Sequence, residues 1–146
     1  MSEPCVEPHP GHSSTLLEWI DAIADQFEAA WKQGPAPSIA SFVGVGSTLG
    51  YSPSKGAVKL FTQALARDLA TDGIRVNAIA PGVIETPMTA STRDDPNRLA
   101  GFMTRTPLGR VGQPEELVGP VIFLASSMSS YVNGVILPVD GGYLAA

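Results

Sequence analysis

Tyr51 and Lys55 stand four positions apart in the stretch GVGSTLGYSPSKGAVKLF, residues 44–61. On a helix, residues at that spacing share a face and can meet one ligand. A free phenol ionises only at about pH 10 and is a poor acid or base near neutrality. A neighbouring lysine ammonium favours the phenolate and draws the group toward the range useful for proton transfer. The same ammonium can hydrogen-bond a sugar hydroxyl. The pair therefore suits passing a proton to or from a carbonyl or alcohol oxygen beside a bound nucleotide. Spacing alone does not establish this, because a surface Tyr and Lys at that interval also arise by chance.

The flanking residues supply the elements that would hold the pair. SPSKGAVKLFTQALARDLATDG predicts a helix from about Ser52, with Ala57, Val58, Phe61, Ala64, Leu65 and Leu69 on its buried side and a turn at Asp72-Gly73. IRVNAIAPG is a β-branched run closed by Pro81-Gly82, a strand entering a loop. VIETPMTASTRDDPNR is polar, irregular and punctuated by proline, long enough to form a lid over a site, with a short helix near Leu99 to Thr104. Gln113-Pro114-Glu115-Glu116 opens another helix, with proline early and acids at the positive end of the dipole. That helix runs through LVGPVIFLAS, where Pro120 predicts a kink. GVILPVDGG reads as a last strand, in which Pro138 fits an edge or a bulge. Helix and strand alternate, the pattern of an α/β parallel sheet, but with too few strands for a complete doubly wound one.

The residues before this region have another texture. Residues 1–13 are rich in Pro, His, Ser and Glu and read as a disordered lead-in. In TLLEWIDAIADQFEAAWKQG, Leu16, Ile20, Ile23, Phe27 and Trp31 line one face of an amphipathic helix, with Thr15 and Glu18 as a capping box. GPAPS then reads as a linker.

At 146 residues the chain suits one ordinary core, and its 44% apolar and 16% charged residues are those of a soluble globular protein. A net charge of −5 without a Lys/Arg cluster argues against nucleic-acid binding. Cys5 is the only cysteine, so an internal disulfide is excluded. His9 and His12 are the only histidines and read as solvated residues, with no metal site expected. No apolar run approaches a membrane span and the start lacks the pattern of a secretory signal, so a cytoplasmic protein is expected.

Taken together, Tyr51-x-x-x-Lys55, Asn77-Ala-Ile-Ala-Pro81-Gly82, Gly112-Gln-Pro114-Glu115-Glu116 and Val139-Asp140-Gly141-Gly142 occur in an order that closely resembles the C-terminal half of the short-chain dehydrogenase/reductase family, over about residues 44–146. The resemblance implies a partial Rossmann-like α/β fold preceded by the amphipathic helix. It also implies an NAD- or NADP-dependent oxidoreductase that interconverts a carbonyl and a secondary alcohol on a sugar-acid, polyol or 3-oxoacyl-like substrate. Tyr51 would exchange the proton, and Lys55 would hold the nicotinamide ribose. Pro81, Gly82, Ile84 and Thr86 would touch the nicotinamide end, and Met88 to Met103 would cover the substrate. The helices from Ser52 and Pro114 would pack on another subunit of a homo-oligomer.

The family's dinucleotide turn and its structural Asn on an earlier helix have no counterpart in the sequence. No Gly-rich dinucleotide turn precedes Tyr51, since Gly44-Val-Gly46-Ser-Thr-Leu-Gly50 has neither the spacing nor a preceding strand. The catalytic serine falls on Ser38, thirteen residues before Tyr51, with Ser41 and Ser47 as alternatives. Residues 15–44 are faintly similar to the segment preceding some bacterial serine/threonine kinase domains. A foreign N-terminus joined near Phe42-Val43-Gly44 is the organisation expected, with 14–43 a separate helical segment and linker. The alternative to an enzyme is a fused or truncated, inactive remnant that binds itself or a partner.

Overall fold

The computed structural model describes residues 36–45 and 50–146. The lead-in, the amphipathic segment, both histidines and Ser47 lie outside the described residues.

Helix α1 spans Tyr51–Asp68. It begins one residue before the expected start, and Pro53 falls in its first turn, where a missing N–H breaks no helical bond. A 3-10 turn, Ala70–Asp72, follows it, and Gly73 reverses the chain at a φ of 74°, a conformation glycine adopts without a Cβ penalty. The buried side of α1 consists of Ser54, Lys55, Val58, Thr62 and Ala66. Of the six apolar residues expected there, only Val58 is buried. Leu60 and Phe61 are 67% and 54% exposed instead. The surface that α1 presents to the turn Ile39–Ser41 is built from small side chains. Their hydroxyls are satisfied locally: Thr62 donates to the Val58 carbonyl at 2.9 Å and Ser54 to the Tyr51 carbonyl at 2.7 Å. Hydroxyls that bond back to their own helix can be buried without an unsatisfied polar atom.

Strands β1, Ala78–Pro81, and β2, Ile136–Val139, pair in parallel, with Ala78 opposite Ile136 and Pro81 opposite Val139. Ala78 N–H donates to Val135 at 2.9 Å and Gly82 N–H to Val139 at 3.0 Å. The alternation of a parallel ladder then turns Pro138, which has no N–H, toward the outer edge of β2. The proline thus occupies an edge register, as its chemistry requires.

Side chains lock this sheet to the helices. Asn77 donates to the Val132 carbonyl at 2.9 Å and accepts from Val135 N–H at 3.0 Å, pinning the approach to β2. Asn133 accepts from Val76 N–H and donates to Ala66, the latter at 2.8 Å, which ties α1 to the same corner. The Asn of the N-A-I-A-P-G run is a structural clamp.

The stretch after β1 is more regular than its prolines imply. It forms a 3-10 turn, Pro87–Thr89, then α2, Ala90–Arg93, and α3, Pro96–Met103. Pro87 and Pro96 occupy first helical positions, where proline starts a helix rather than preventing one. Asp95 caps α3, its carboxylate accepting from Asn97 and Arg98 N–H at 2.9 and 3.2 Å. Pro114–Leu117 is a 3-10 turn leading into α4, Val118–Ala125. Pro120 lies in the first turn of α4, so it marks the change from 3-10 to α winding rather than a kink within one helix. Arg75 closes the far end of α4, donating to the Leu124 and Ser126 carbonyls at 3.0 and 3.1 Å and to Ser129 Oγ at 2.8 Å. Among the described residues no helix is long and apolar enough to cross a membrane.

Candidate active site

A cleft of about 260 Å³ opens beyond the C-terminal end of β1 and contains Tyr51. In an open parallel sheet, this is the end at which ligands bind. Tyr51 is the first residue of α1, so its phenol sits at the positive end of the helix dipole. Lys55, one turn on, places its Nζ 5.3 Å from the Tyr51 ring centroid. Lys55 is only 5% exposed, and burial lowers its pKa from the ordinary lysine value.

The described candidate serines part ways here. Ser38 lines the Tyr51 cleft. Its Oγ accepts from Ala40 N–H at 3.2 Å and keeps its own proton to donate. Ser41 Oγ donates to the Lys55 carbonyl at 2.7 Å and accepts from Ser38 N–H at 3.2 Å. That hydroxyl fastens the 39–41 turn to α1 and does not line the cleft.

The four residues after β1 do not share one position. Pro81 ends the strand, and Gly82 lines the cleft. Gly82 is required by packing, because a Cβ there would lie 2.9 Å from Asp140 Cα. Ile84 is buried and lines a second cavity, of about 200 Å³, where it packs on Gly112. Thr86 starts the 87–89 turn, donating its N–H to Thr89 Oγ1 at 3.2 Å and accepting from Arg93 at its carbonyl. The side chains of Ile84 and Thr86 therefore do not line the Tyr51 cleft.

Residues not singled out from sequence complete the wall. Ile39, Ala40, Val45 and Val83 supply apolar surface, and Thr89 and Thr92 supply hydroxyls. Met88 and Phe102, at the two ends of the expected covering segment, also line it. The polar lid stretch was the available signal for the threonines. Nothing in the sequence marks the four apolar positions.

The other two motifs shape the frame. The Asp140 carboxylate accepts from Gly142 and Leu144 N–H at 2.9 and 3.0 Å, and Gly141 and Gly142 take φ of 64° and 89°. V-D-G-G is thus a self-capped turn behind Gly82. Glu116 accepts from Arg110 at 2.6 and 2.8 Å and from Gln113 N–H at 2.7 Å. The Arg110 hydrogen bonds, followed by that from Gln113, hold its carboxyl down to about 2.

This donor set fits the nicotinamide-ribose end of a dinucleotide: a buried ammonium, a phenol at a helix start and a glycine at the strand end. Among the described residues, no strand–Gly-rich turn–helix unit is present to receive a pyrophosphate.

Comparison with known proteins agrees with the geometry. A family model described as "Enoyl-(Acyl carrier protein) reductase" matches residues 36–144. The chain is similar to 2-dehydro-3-deoxy-D-gluconate 5-dehydrogenase of Pseudoalteromonas atlantica, 47% identical over 107 residues, 73% of this chain and 42% of that protein. It is also similar to galactitol 2-dehydrogenase of Cereibacter sphaeroides, 50% identical over 93 residues, 64% of this chain and 37% of that protein. Among solved structures, a putative 2-deoxy-D-gluconate 3-dehydrogenase from Agrobacterium tumefaciens with bound NADP superposes with a TM-score of 0.74 at 34% identity, covering 92% of this chain and 61% of that one. The chain spans about two fifths of the length of these curated relatives. It belongs to the short-chain dehydrogenase/reductase family, and its parallel strands and flanking helices are part of a Rossmann-type α/β fold.

Proposed function

We propose that this chain carries the catalytic part of an NAD(P)-dependent oxidoreductase that interconverts a secondary alcohol and its carbonyl, with a sugar-acid, polyol or 3-oxoacyl-like substrate. The observation that carries the reading is the meeting of Tyr51, Ser38 and Gly82 in one cleft, with the Lys55 ammonium behind the phenol. NAD(P), when bound, accepts or supplies the hydride at the carbinol carbon.

The rest falls to the chain's own side chains. In oxidation, the Tyr51 phenolate takes the alcohol O–H proton as the C–H electron pair leaves and the C=O bond forms. In reduction, the phenol returns that proton to the carbonyl oxygen. Ser38 donates a hydrogen bond to the same oxygen and holds it against Tyr51. Lys55, beside the phenol, would hold the nicotinamide ribose. Gly82, with Pro81 before it, would face the nicotinamide end, and the backbone at Ile84 and Thr86 would continue that edge.

Residues 44–146 are read as the C-terminal half of the domain, joined by the 36–43 stretch that carries Ser38 and falls within the family match, and the helical segment before it as one of separate origin. A cytoplasmic homo-oligomer is the form proposed, supported by the exposed Leu60 and Phe61 on α1 and Val118, Val121 and Ile122 on α4.

Titration with NADH and NADPH, followed by nicotinamide fluorescence, tests the reading. Binding is expected, and Tyr51→Phe should lower turnover by about 10²-fold or more while leaving binding largely intact. Absence of binding at millimolar cofactor would overturn it, since hydride transfer needs an ordered nicotinamide.

A further inference from the structure

The Tyr51 cleft has a chemical character that the motifs do not specify. Apart from Tyr51 itself, none of the described residues lining it carries an ionisable side chain. The sequence extends that pattern: between Gln33 and Ser54 the only ionisable side chain is Tyr51, and 76–84 and 86–92 contain none. Those stretches are thus uncharged, while Glu85 separates two of them and α3, which contributes Phe102, carries Arg98.

Two nearby cations are committed elsewhere. Lys55 lies behind the Tyr51 ring and does not line the cleft. Arg93 is tied to Glu85 at 3.3 Å and to the Thr86 carbonyl at 3.2 Å, and its Nε reaches the cleft-lining Thr89 only at Oγ1, at 3.4 Å. A carboxylate entering the cleft would lose its hydration without gaining a cationic partner, a strongly unfavourable exchange. A neutral alcohol or ketone meets no such cost. Ser38 and Thr92 offer hydroxyls for its polar atoms, while Ile39, Val83, Met88 and Phe102 cover its carbon skeleton. At about 260 Å³ among the described residues, the cleft is on the scale of a small ligand, below the ~300–1,000 Å³ of sites for drug-sized ones.

We propose that the site selects small, uncharged secondary alcohols and their ketones over anionic ones such as sugar acids. The proposal rests on the oxidoreductase reading above and narrows its substrate class. Thr92, on α2 at the cleft wall, is the position at which a single cation would change that choice.

A matched pair of substrates tests this on the full chain: 3-hydroxybutanoate and its methyl ester, which present the same carbinol with and without a charge. With NAD+ and NADP+, the ester should show a kcat/KM at least about tenfold above the acid. Thr92→Lys should narrow or invert that ratio. A second readout does not need turnover: the methyl resonance of 13C-labelled Met88 should shift with the ester and not with the acid, while exposed Met128 serves as the remote reference. An acid oxidised as efficiently as the ester overturns the selectivity and leaves the oxidoreductase reading standing. No oxidation of either, with Met88 shifted by the ester alone, overturns the catalytic reading and supports the selectivity. Met88 unmoved by both ligands, or moved equally by both, overturns the selectivity whatever the turnover.

Discussion

Replacing Gly82 by alanine forces the strand end against the turn that follows β2. The added Cβ would stand 2.9 Å from Asp140 Cα, 3.0 Å from Asp140 Cβ and 3.3 Å from the Asp140 carbonyl oxygen. Carbon atoms in comfortable contact lie about 3.5–4.0 Å apart, so the two segments must separate by roughly 0.5–1 Å. Neither yields easily. Gly82 N–H is bonded to Val139, and Asp140 is held through its carboxylate by two backbone N–H groups. Overpacking of this kind costs about 1–3 kcal/mol, and main-chain neighbours place Gly82→Ala in the upper part of that range. At about 2–4 °C per kcal/mol, a fall of roughly 4–12 °C in melting temperature follows. Gly101→Ala is the control. Gly101 lies within α3 with nothing inside 4 Å of an added Cβ, and alanine there should stabilise by about 0.5–1 kcal/mol. Urea and thermal melts followed by far-UV circular dichroism read both variants. A Gly82→Ala protein that melts with the wild type, or the same sign of change in both variants, would refute the reasoning.

Glu116 gives an acid-side prediction. Its folded carboxyl sits at about 2 against an ordinary 4.5, so its contribution is complete above the ordinary value and is lost as pH falls through the folded one. Glu116→Gln should flatten the loss of stability in that window, measured by melts from about pH 5 to pH 2. Lys55 acts at the alkaline end. Its pKa is lowered by burial, so the unfolded chain binds more protons below 10.5 and stability attributable to this group rises with pH. The stability difference between wild type and Lys55→Met should therefore shift toward wild type as pH climbs toward 10.5. The exposed apolar faces make a prediction about assembly: Phe61→Glu should lower the sedimentation-defined oligomer, and an unchanged oligomer would remove α1 from the interface.

Motif-bearing stretches were legible because they combine backbone chemistry with side-chain type. The start of α1 near Tyr51, the strand before Pro81-Gly82 and the edge position of Pro138 all follow from local rules about proline, glycine and capping. The burial of α1 did not. Periodicity assigns Phe61 and Ala64 to the core, but α1 buries Ser54, Lys55, Thr62 and Ala66 instead, with the 39–41 turn meeting it at Lys55 and the Asn133–Gly134 corner at Ala66. Which stripe of a helix is covered depends on the partner element, and that information lies elsewhere in the chain. Spacing to Tyr51 brought Ser38 forward and left Ser41 as an alternative. Only geometry shows that Ser41 spends its hydroxyl on the Lys55 carbonyl. The apolar wall of the cleft was silent in the sequence, because Ile39, Val45 and Val83 are ordinary core residues until the fold turns them toward a phenol.

The register of the two strands has a consequence for solubility. The alternation that points Pro138 outward on β2 also points Pro81 outward on β1, so among the described residues each outer side of this two-stranded ladder carries a proline in place of a donor. A strand adding to either side would meet a gap in its ladder and a ring in its path. Open borders invite runaway growth into fibrils, and proline is one of the residues that blunts them. The same prolines read as turn and edge signals in the sequence thereby act as guards against misassembly, on a chain whose helices carry as much bare hydrocarbon as α1 and α4 do.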